Sequence, residues 1–169
     1  ALKRAGQIVL LSKNSFERFG AQYPKRAGKA AWMMLGAHLP TAGPVMPPEL
    51  PREGFPDYYL FFGRIDKYKG IINLLRAYET LDPSRRPPLV IAGSGQLQDD
   101  EERLVGRSAG VVLLNRFMSN AEMLWLIRNA LTVVLPYTEA SQSGVLPIAY
   151  HFGVPVVTWR PSASVKTPD

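Results

Sequence analysis

The chain has 169 residues, no cysteine and a formal net charge of +6. Without cysteine there is no disulfide framework, cysteine nucleophile or thiolate metal site, and the two histidines, His38 and His151, lie far apart without carboxylates at ligand spacing. We therefore expect no metal site. The positive charge favours anionic partners, but the lysines and arginines are spread along the chain, which disfavours nucleic acid.

No apolar run approaches the length of a membrane span, and the amino terminus lacks the layout of a signal peptide. We therefore expect a cytoplasmic protein. Its basic surface would still allow peripheral contact with the inner face of a membrane.

The first predicted elements are short. Residues 7–12 form an apolar strand, and Asn14 or Ser15 is placed to cap a helix that runs toward Tyr23. Residues 29–35 are a second apolar stretch. Residues 41–57 then contain five prolines, which is incompatible with a regular strand ladder and typical of an extended linker. The sequence therefore predicts three parts: residues 1–40, a linker at 41–57, and a domain at 58–169.

From residue 58 onward, strands and helices alternate. Strands are predicted at residues 58–62, 89–92, 111–114, 132–135 and 155–158, and helices at 71–81, 96–105, 120–129 and 144–151. Ser119 and Glu122 have the spacing of a capping box before the third of these helices. The alternation predicts βαβ units, and so an α/β fold with a Rossmann-like, doubly wound parallel sheet.

The loop at residues 63–70 carries the cations Arg64 and Lys69 between Gly63 and Gly70. It leaves the first strand of the alternating region at its carboxyl end, which is the edge where open α/β sheets bind ligands. A helix follows directly, and its amino terminus favours a phosphate. The alternative is an ordinary turn with two solvated charges.

A second polar loop leaves the fourth strand and opens the last helix. Its residues Ser141, Gln142, Ser143 and Gly144 offer several hydrogen-bond donors to an anion, although the same residues would also suit a helix cap. The two loops lie at the same predicted sheet edge, which favours a shared ligand.

A third loop follows the strand at 111–114. The flat faces of Arg116 and Phe117, with Met118, would suit a nucleobase, but Phe117 and Met118 are equally typical of a core turn. Gly93 and Gly95 follow the strand at 89–92. They lack the third glycine of a dinucleotide fingerprint, so a structural turn is the favoured interpretation.

Taken together, these loops resemble the carboxyl-terminal, donor-binding domain of a GT-B glycosyltransferase of the retaining family 4 (group 1), in truncated form. The order and spacing of the motifs agree over roughly residues 58–158. The matching motifs are Phe61-Phe62-Gly63-Arg64 with Lys69-Gly70, Val90-Ile91-Ala92-Gly93-Ser94-Gly95, Ala121-Glu122-Met123-Leu124, Val133-Val134-Leu135-Pro136 and Gly153-Val154-Pro155-Val156-Val157.

The resemblance implies an enzyme that transfers a sugar from a nucleotide-diphosphate sugar, of UDP or GDP type, to a glycan or lipid-linked acceptor with retention and without a metal or other cofactor. Arg64 and Lys69 would bind the diphosphate and Glu139 would contact the sugar. Residues 116–118 would hold the base, and Gly63 with residues 141–144 would complete the donor site.

Residues 1–40 would be the end of the first GT-B domain, which would supply the acceptor site. The resemblance also implies that this fragment alone transfers sugar poorly or not at all, and that the parent assembles polysaccharide or another glycan.

The chain departs from the family pattern at the two glutamates usually found around the last loop. Aligned on Gly153 and Pro155, those positions fall at Ala140 and Ile148, with Glu139 one residue from the first. The loss favours a second hypothesis, a non-catalytic nucleotide- or anion-binding module of the same fold. A third hypothesis, a basic domain for nucleic acid or membrane, requires clustered cations with interleaved aromatics, which the sequence lacks.

Overall fold

The computed structural model describes residues 5–34, 36, 39, 41, 43–51, 55–139 and 143–159. Its first part is a small parallel pair of strands, β1 (Ile8–Leu10) and β2 (Ala30–Trp32), joined by helix α1 (Lys13–Gln22) and a 3₁₀ turn at Pro24–Lys29. The side chain of Ser12 caps α1 by accepting the Ser15 N–H at 3.1 Å. The prediction that Asn14 or Ser15 caps this helix was therefore wrong.

The larger part is a five-stranded parallel sheet with helices between its strands. The strands are β3 (Tyr59–Phe62), β4 (Leu89–Gly93), β5 (Val111–Asn115), β6 (Thr132–Leu135) and β7 (Val156–Thr158). The helices are α2 (Ile71–Glu79), α3 (Asp99–Arg107), α4 (Asn120–Arg128) and α5 (Val145–His151). The strand order is β5-β4-β3-β6-β7 and every pairing is parallel, which confirms the predicted Rossmann-like α/β sheet.

The sheet forms because its central strands are apolar on both faces. All five residues of β4 are buried, as expected of a strand covered by helices above and below. Helix α4 begins where the sequence predicts, since Ser119 and Glu122 form the expected capping box. Helix α3 begins at Asp99, three residues later than predicted, and its first turn is acidic, as suits a helix amino terminus.

The described residues of the proline-rich segment lie in no helix or strand, yet residues 45–50 pack closely against the larger sheet domain. Leu50 is 2% exposed and belongs to the core. The Val45 N–H donates to the Ala121 carbonyl at 3.0 Å. The described part of the segment is therefore anchored to the sheet domain.

In the part of the chain that the structure describes, no helix is long and apolar enough to cross a membrane.

Candidate functional site

The order of the strands places a crevice between β3 and β6. The chain runs outward from β3 to β4 and β5, then returns to the other side of β3 for β6. At such a reversal the loops that leave the two neighbouring strands diverge, and ligands of open α/β sheets bind in the gap between them. Here those loops are residues 63–70 and, in the described part of the chain, residues 136–139 and 143–144, so the sheet topology brings together the two loops singled out by sequence.

Arg64 and Lys69 of the first loop have no carboxylate partner among the described residues. Arg64 is exposed and forms no hydrogen bond or ion pair with another described residue. The Lys69 ammonium lies over the ring of Tyr137, with Nζ 3.7 Å from the ring centroid, and 5.0 Å from the centroid of Tyr68. Both charges therefore remain available to an anionic ligand.

Gly70 allows the two loops to approach each other closely. Its φ of 69° is in the left-handed region, and a Cβ at this position would overlap the carbonyl oxygen of Pro136. Next to this contact, the backbone N–H and the hydroxyl of Thr138 both donate to the Tyr68 carbonyl, at 2.9 and 3.1 Å. Residues 68 and 70 of the first loop are therefore tied to residues 136 and 138 of the second.

Gly93 has a structural role of the same kind. A Cβ at Gly93 would overlap the Gly63 carbonyl, because the backbone after β3 continues alongside β4. The Gly63 N–H donates to the Ala92 carbonyl at 3.0 Å and keeps the two backbones close. Gly93 is therefore required by chain packing, as the structural interpretation of this turn predicted.

An open cavity of about 370 Å³ lies at the crevice. Gly63, Lys69, Ser143 and Gly144, four of the predicted site residues, line it together with Tyr137 and Asn120. Met123, Val145 and Ile148 provide an apolar wall. The cavity thus combines a cation, hydroxyls and backbone groups with an apolar surface, which is typical of a site for a polar small molecule.

Tyr137 lines this cavity and was not among the predicted site residues. It is only 7% exposed, and burial raises the pKa of its hydroxyl. The hydroxyl oxygen lies 3.4 Å from the Ser143 hydroxyl oxygen, at the outer limit of a hydrogen bond. The sequence signal was present, because Tyr137 lies just beyond the carboxyl end of β6, but its partner Lys69 is 68 positions away.

The amino terminus of α2 is less available than the sequence suggested. The carboxylate of Glu101, itself 3% exposed, accepts the Ile72 N–H at 3.1 Å through one oxygen and the Gln98 N–H at 2.9 Å through the other. A carboxylate of the protein thus already occupies one of the N–H groups that a phosphate was expected to use. This corrects the expectation of a helix end open to an anion.

The loop after β5 has a different electrostatic character. Arg116 donates to Glu49, to Glu122 and to the Phe117 carbonyl, so all five N–H groups of its guanidinium have partners. Nη2 lies 2.7 Å from a Glu49 oxygen and 2.6 Å from a Glu122 oxygen. The hydrogen bond from Arg116 lowers the pKa of Glu122 to about 2, and that of Glu49 is lowered by the same cause. Any contact of Arg116 with a base would have to use the flat face of the guanidinium.

The two residues after Arg116 are separated by the fold. Phe117 is 81% exposed, whereas Met118 is 6% exposed and packs in the core. Of these two residues, Phe117 presents an exposed aromatic face to a ligand, whereas the side chain of Met118 packs in the core of the sheet domain.

The remaining predicted residues fall at or beyond the edge of the described part. Glu139 is exposed and bonds to no other described residue. Ser141, Gln142, His38 and Ala140 lie outside the described residues. Ile148, at the second family glutamate position, is 5% exposed and lines the cavity. Among the described residues no cluster of three or more histidines, aspartates and glutamates is arranged to hold a metal.

Comparison with known proteins agrees with this geometry. The family model described as "Glycosyl transferases group 1" matches residues 56–167, about two thirds of the chain. The chain belongs to the glycosyl transferases group 1 family. The match spans β3 to β7 and so includes every loop at the carboxyl edge. No curated protein sequence matches this chain.

Several solved structures are similar to the chain. Sucrose-phosphate synthase from Thermosynechococcus elongatus is 21% identical with a TM-score of 0.69, and the match covers 93% of this chain and 41% of that one. Alr3699/HepE from Anabaena, in complex with UDP and glucose, is 20% identical with a TM-score of 0.70, covering 91% and 44%. WaaG, a glycosyltransferase involved in lipopolysaccharide biosynthesis, is 17% identical with a TM-score of 0.67, covering 90% and 44%.

At this level of identity, these similarities establish the fold alone. The group 1 chain spans less than half the length of each of these proteins.

Proposed function

We propose that this chain is the donor-binding part of a retaining glycosyltransferase and that it binds a nucleotide-diphosphate sugar in the crevice between β3 and β6. The cavity beside Lys69 carries this proposal, because Lys69 and the neighbouring Arg64 are cations without carboxylate partners among the described residues. A diphosphate is the anion whose charge two such groups would balance. Cations that already have carboxylate partners, such as Arg116, are not proposed to bind the diphosphate.

The chemistry of sugar transfer explains why the cations would matter. As the bond between the anomeric carbon and the diphosphate breaks, negative charge develops on the departing phosphate oxygens. Fixed positive groups stabilise that charge more strongly in the transition state than in the bound substrate, and so lower the barrier. Arg64 and Lys69 are proposed for this role, with Glu139 proposed to contact the sugar; the proposal assigns no metal or resident cofactor.

A uridine nucleotide is the first donor to test. Two similar structures of Anabaena Alr3699/HepE contain UDP-glucose, or UDP and glucose. In this chain, Phe117 and the face of Arg116 are proposed to contact the base, while Ser143 and Gly144, with Ser141 and Gln142, approach the phosphates and sugar. The acceptor, a glycan or lipid-linked sugar, is assigned to the remainder of a larger protein. The chain alone is therefore expected to bind nucleotide but to transfer sugar poorly.

The proposal is tested by titrating UDP, GDP and ADP into the chain by isothermal calorimetry. We expect one nucleoside diphosphate to bind saturably and Arg64→Ala to weaken its binding about 10-fold or more, the effect of losing a hydrogen bond to a charged group. Arg85→Ala is the matched control, because Arg85 is an exposed arginine on the loop that enters β4 at the opposite end of the sheet. Equal binding in both variants, or no saturable binding of any of the three nucleotides, would contradict the proposal.

A non-catalytic nucleotide-binding module is the second candidate. It is favoured by Ile148, which places an apolar side chain in the cavity at a position where the family usually has a glutamate. Both candidates predict nucleotide binding, so turnover distinguishes them. Hydrolysis or transfer of the sugar of a bound nucleotide sugar by a longer protein containing this domain would exclude the module, and tight binding without any turnover would support it.

A further inference from the structure

We propose that Tyr137 is a positioning residue of this donor site, and that the face of its ring holds the Lys69 ammonium at the wall of the cavity. The inference rests on the proposed function, since it takes Lys69 to be a ligand-binding cation. It adds a residue, and a means of holding the cation, that the sequence motifs do not assign.

The first observation is the geometry of the pair. Lys69 Nζ lies 3.7 Å from the centroid of the Tyr137 ring, within the range of a strong cation–π contact. Tyr68 offers a second, more distant ring at 5.0 Å. Lysine has four rotatable side-chain bonds, so a free Lys69 would populate many positions. Contact with the Tyr137 face selects those in which the ammonium borders the cavity.

The ring is itself held in place on several sides. Tyr137 is 7% exposed, and the residues on either side of it are tied to the first loop. Pro136 is packed against Gly70, and Thr138 donates two hydrogen bonds to the Tyr68 carbonyl. The Tyr137 hydroxyl reaches toward Ser143 at 3.4 Å. A fixed ring can position a flexible cation, whereas an exposed one could not.

An aromatic ring is chemically better suited to this task than a carboxylate. A carboxylate partner would hold Lys69 but would also cancel its charge, as Glu49 and Glu122 do for Arg116. The ring attracts the ammonium through its quadrupole and carries no net charge, so the full positive charge stays available. It also contacts the ammonium from one side, which leaves N–H groups directed elsewhere for an anionic oxygen.

The test compares variants that keep or remove the ring face. Tyr137→Phe retains the ring and loses only the hydroxyl, and Tyr137→Leu removes the ring. By calorimetry with UDP we expect less than about 3-fold weaker binding for Tyr137→Phe and roughly 5- to 30-fold weaker binding for Tyr137→Leu, the range of a partly desolvated cation–π contact. In a Lys69→Met background, the effect of Tyr137→Leu should disappear, because Tyr137 acts through Lys69. A purely structural tyrosine would weaken binding equally in both backgrounds, which would overturn the inference.

A readout without nucleotide separates this inference from the proposed function. The Lys69 Hε protons, assigned by comparison with Lys69→Arg, should show an upfield ring-current shift in NMR spectra that survives in Tyr137→Phe and is lost in Tyr137→Leu. If UDP fails to bind but this shift is present, the proposed donor is wrong and the Lys69–Tyr137 contact stands. If UDP binds and the shift is absent, the positioning role is wrong and the donor site stands.

A second series guards against misfolding of Tyr137→Leu. Phenylalanine analogues with one, two or five fluorines at position 137 keep the size of the ring while progressively weakening its negative face. Affinity for UDP should fall stepwise with fluorination relative to Tyr137→Phe. Affinity that does not change along the series would exclude a cation–π role.

Discussion

Two loops at the same edge of the sheet each present arginine or lysine, but only one of them pairs its cation with carboxylates among the described residues. In the loop after β5, two carboxylates and a carbonyl take up every N–H of Arg116. In the loop after β3, Arg64 and Lys69 have no carboxylate partner among the described residues, and Lys69 rests on an aromatic ring. The difference distinguishes a cation that stabilises the fold from cations that are available to a ligand.

The Arg116 cluster serves to anchor the proline-rich segment. Glu49 belongs to that segment, and Glu122 caps α4, so Arg116 joins a loop, a helix and a linker at one point. The Leu50 side chain and the bond from Val45 to Ala121 hold the same segment nearby. Donor-binding residues are therefore better sought among unsatisfied cations than among all cations at the edge.

The largest loss of stability is expected from a substitution that separates the two loops beside the cavity. Gly70→Ala would place a Cβ against the Pro136 carbonyl in a left-handed conformation, and the free energy of unfolding should fall by about 3 kcal/mol. Urea denaturation measures this loss, and UDP affinity should fall with it because Lys69 and Tyr137 would be displaced. Gly106→Ala, in α3 with open space around it, is the control and should not destabilise the chain. Equal stability of the two variants would contradict the close approach of the loops.

Removing Arg116, the cation that is paired with two carboxylates, should lower the free energy of unfolding. Arg116→Ala leaves the Glu49 and Glu122 carboxylates facing each other without the cation they share, and because the cluster is partly exposed we expect a loss of about 1–2 kcal/mol. Arg64→Ala should change stability by less than about 0.5 kcal/mol, since its side chain is exposed and bonds to no other described residue. Urea denaturation of the two variants gives the comparison. A larger loss for Arg64→Ala than for Arg116→Ala would reverse the assignment of the two loops.

The cluster should also make stability depend on pH. The pKa of Glu122 is about 2 in the folded chain, below its usual value of 4.5, so between these values the unfolded chain binds more protons. The stabilisation from Glu122 is therefore complete above about pH 4.5 and is lost as the pH falls toward 2. Thermal unfolding of the wild type and Arg116→Ala across this range tests the prediction. The variant should show a shallower dependence, and parallel curves would argue against the Arg116–Glu122 bond.

The smallest loss of stability is expected from changing Glu49, which the proline-rich segment contributes to the cluster. Glu49→Gln keeps the shape of the side chain but removes one of the two carboxylates on Arg116, which should cost about 0.5 kcal/mol because the pair is largely exposed. Hydrogen exchange at the Val45 amide should quicken, as this amide reports docking of the segment on Ala121. Glu17→Gln, in the exposed Lys13–Glu17 pair on α1, is the control and should leave that amide unchanged.

Much of the fold was predictable because its signals are local. The alternation of apolar strands and amphipathic helices gave the parallel sheet, and Ser119 with Glu122 gave the start of α4. The start of α3 was misplaced, since Gln98 has an extended backbone and caps the helix, with its N–H donating to the Glu101 side chain. The cap of α1 was misassigned because Ser12, Asn14 and Ser15 are all good capping residues within one turn.

The candidate site was predictable in position but not in detail. The sequence by itself determined that Arg64, Lys69 and the last loop lie at the carboxyl ends of parallel strands, because strand order along the chain and the parallel pairing follow from short-range patterns. Only the tertiary structure decided which charges are satisfied. Glu49 and Arg116 are 67 positions apart, and Ile72 and Glu101 are 29 apart. No local propensity encodes such contacts, because they depend on how distant segments meet after the sheet has formed.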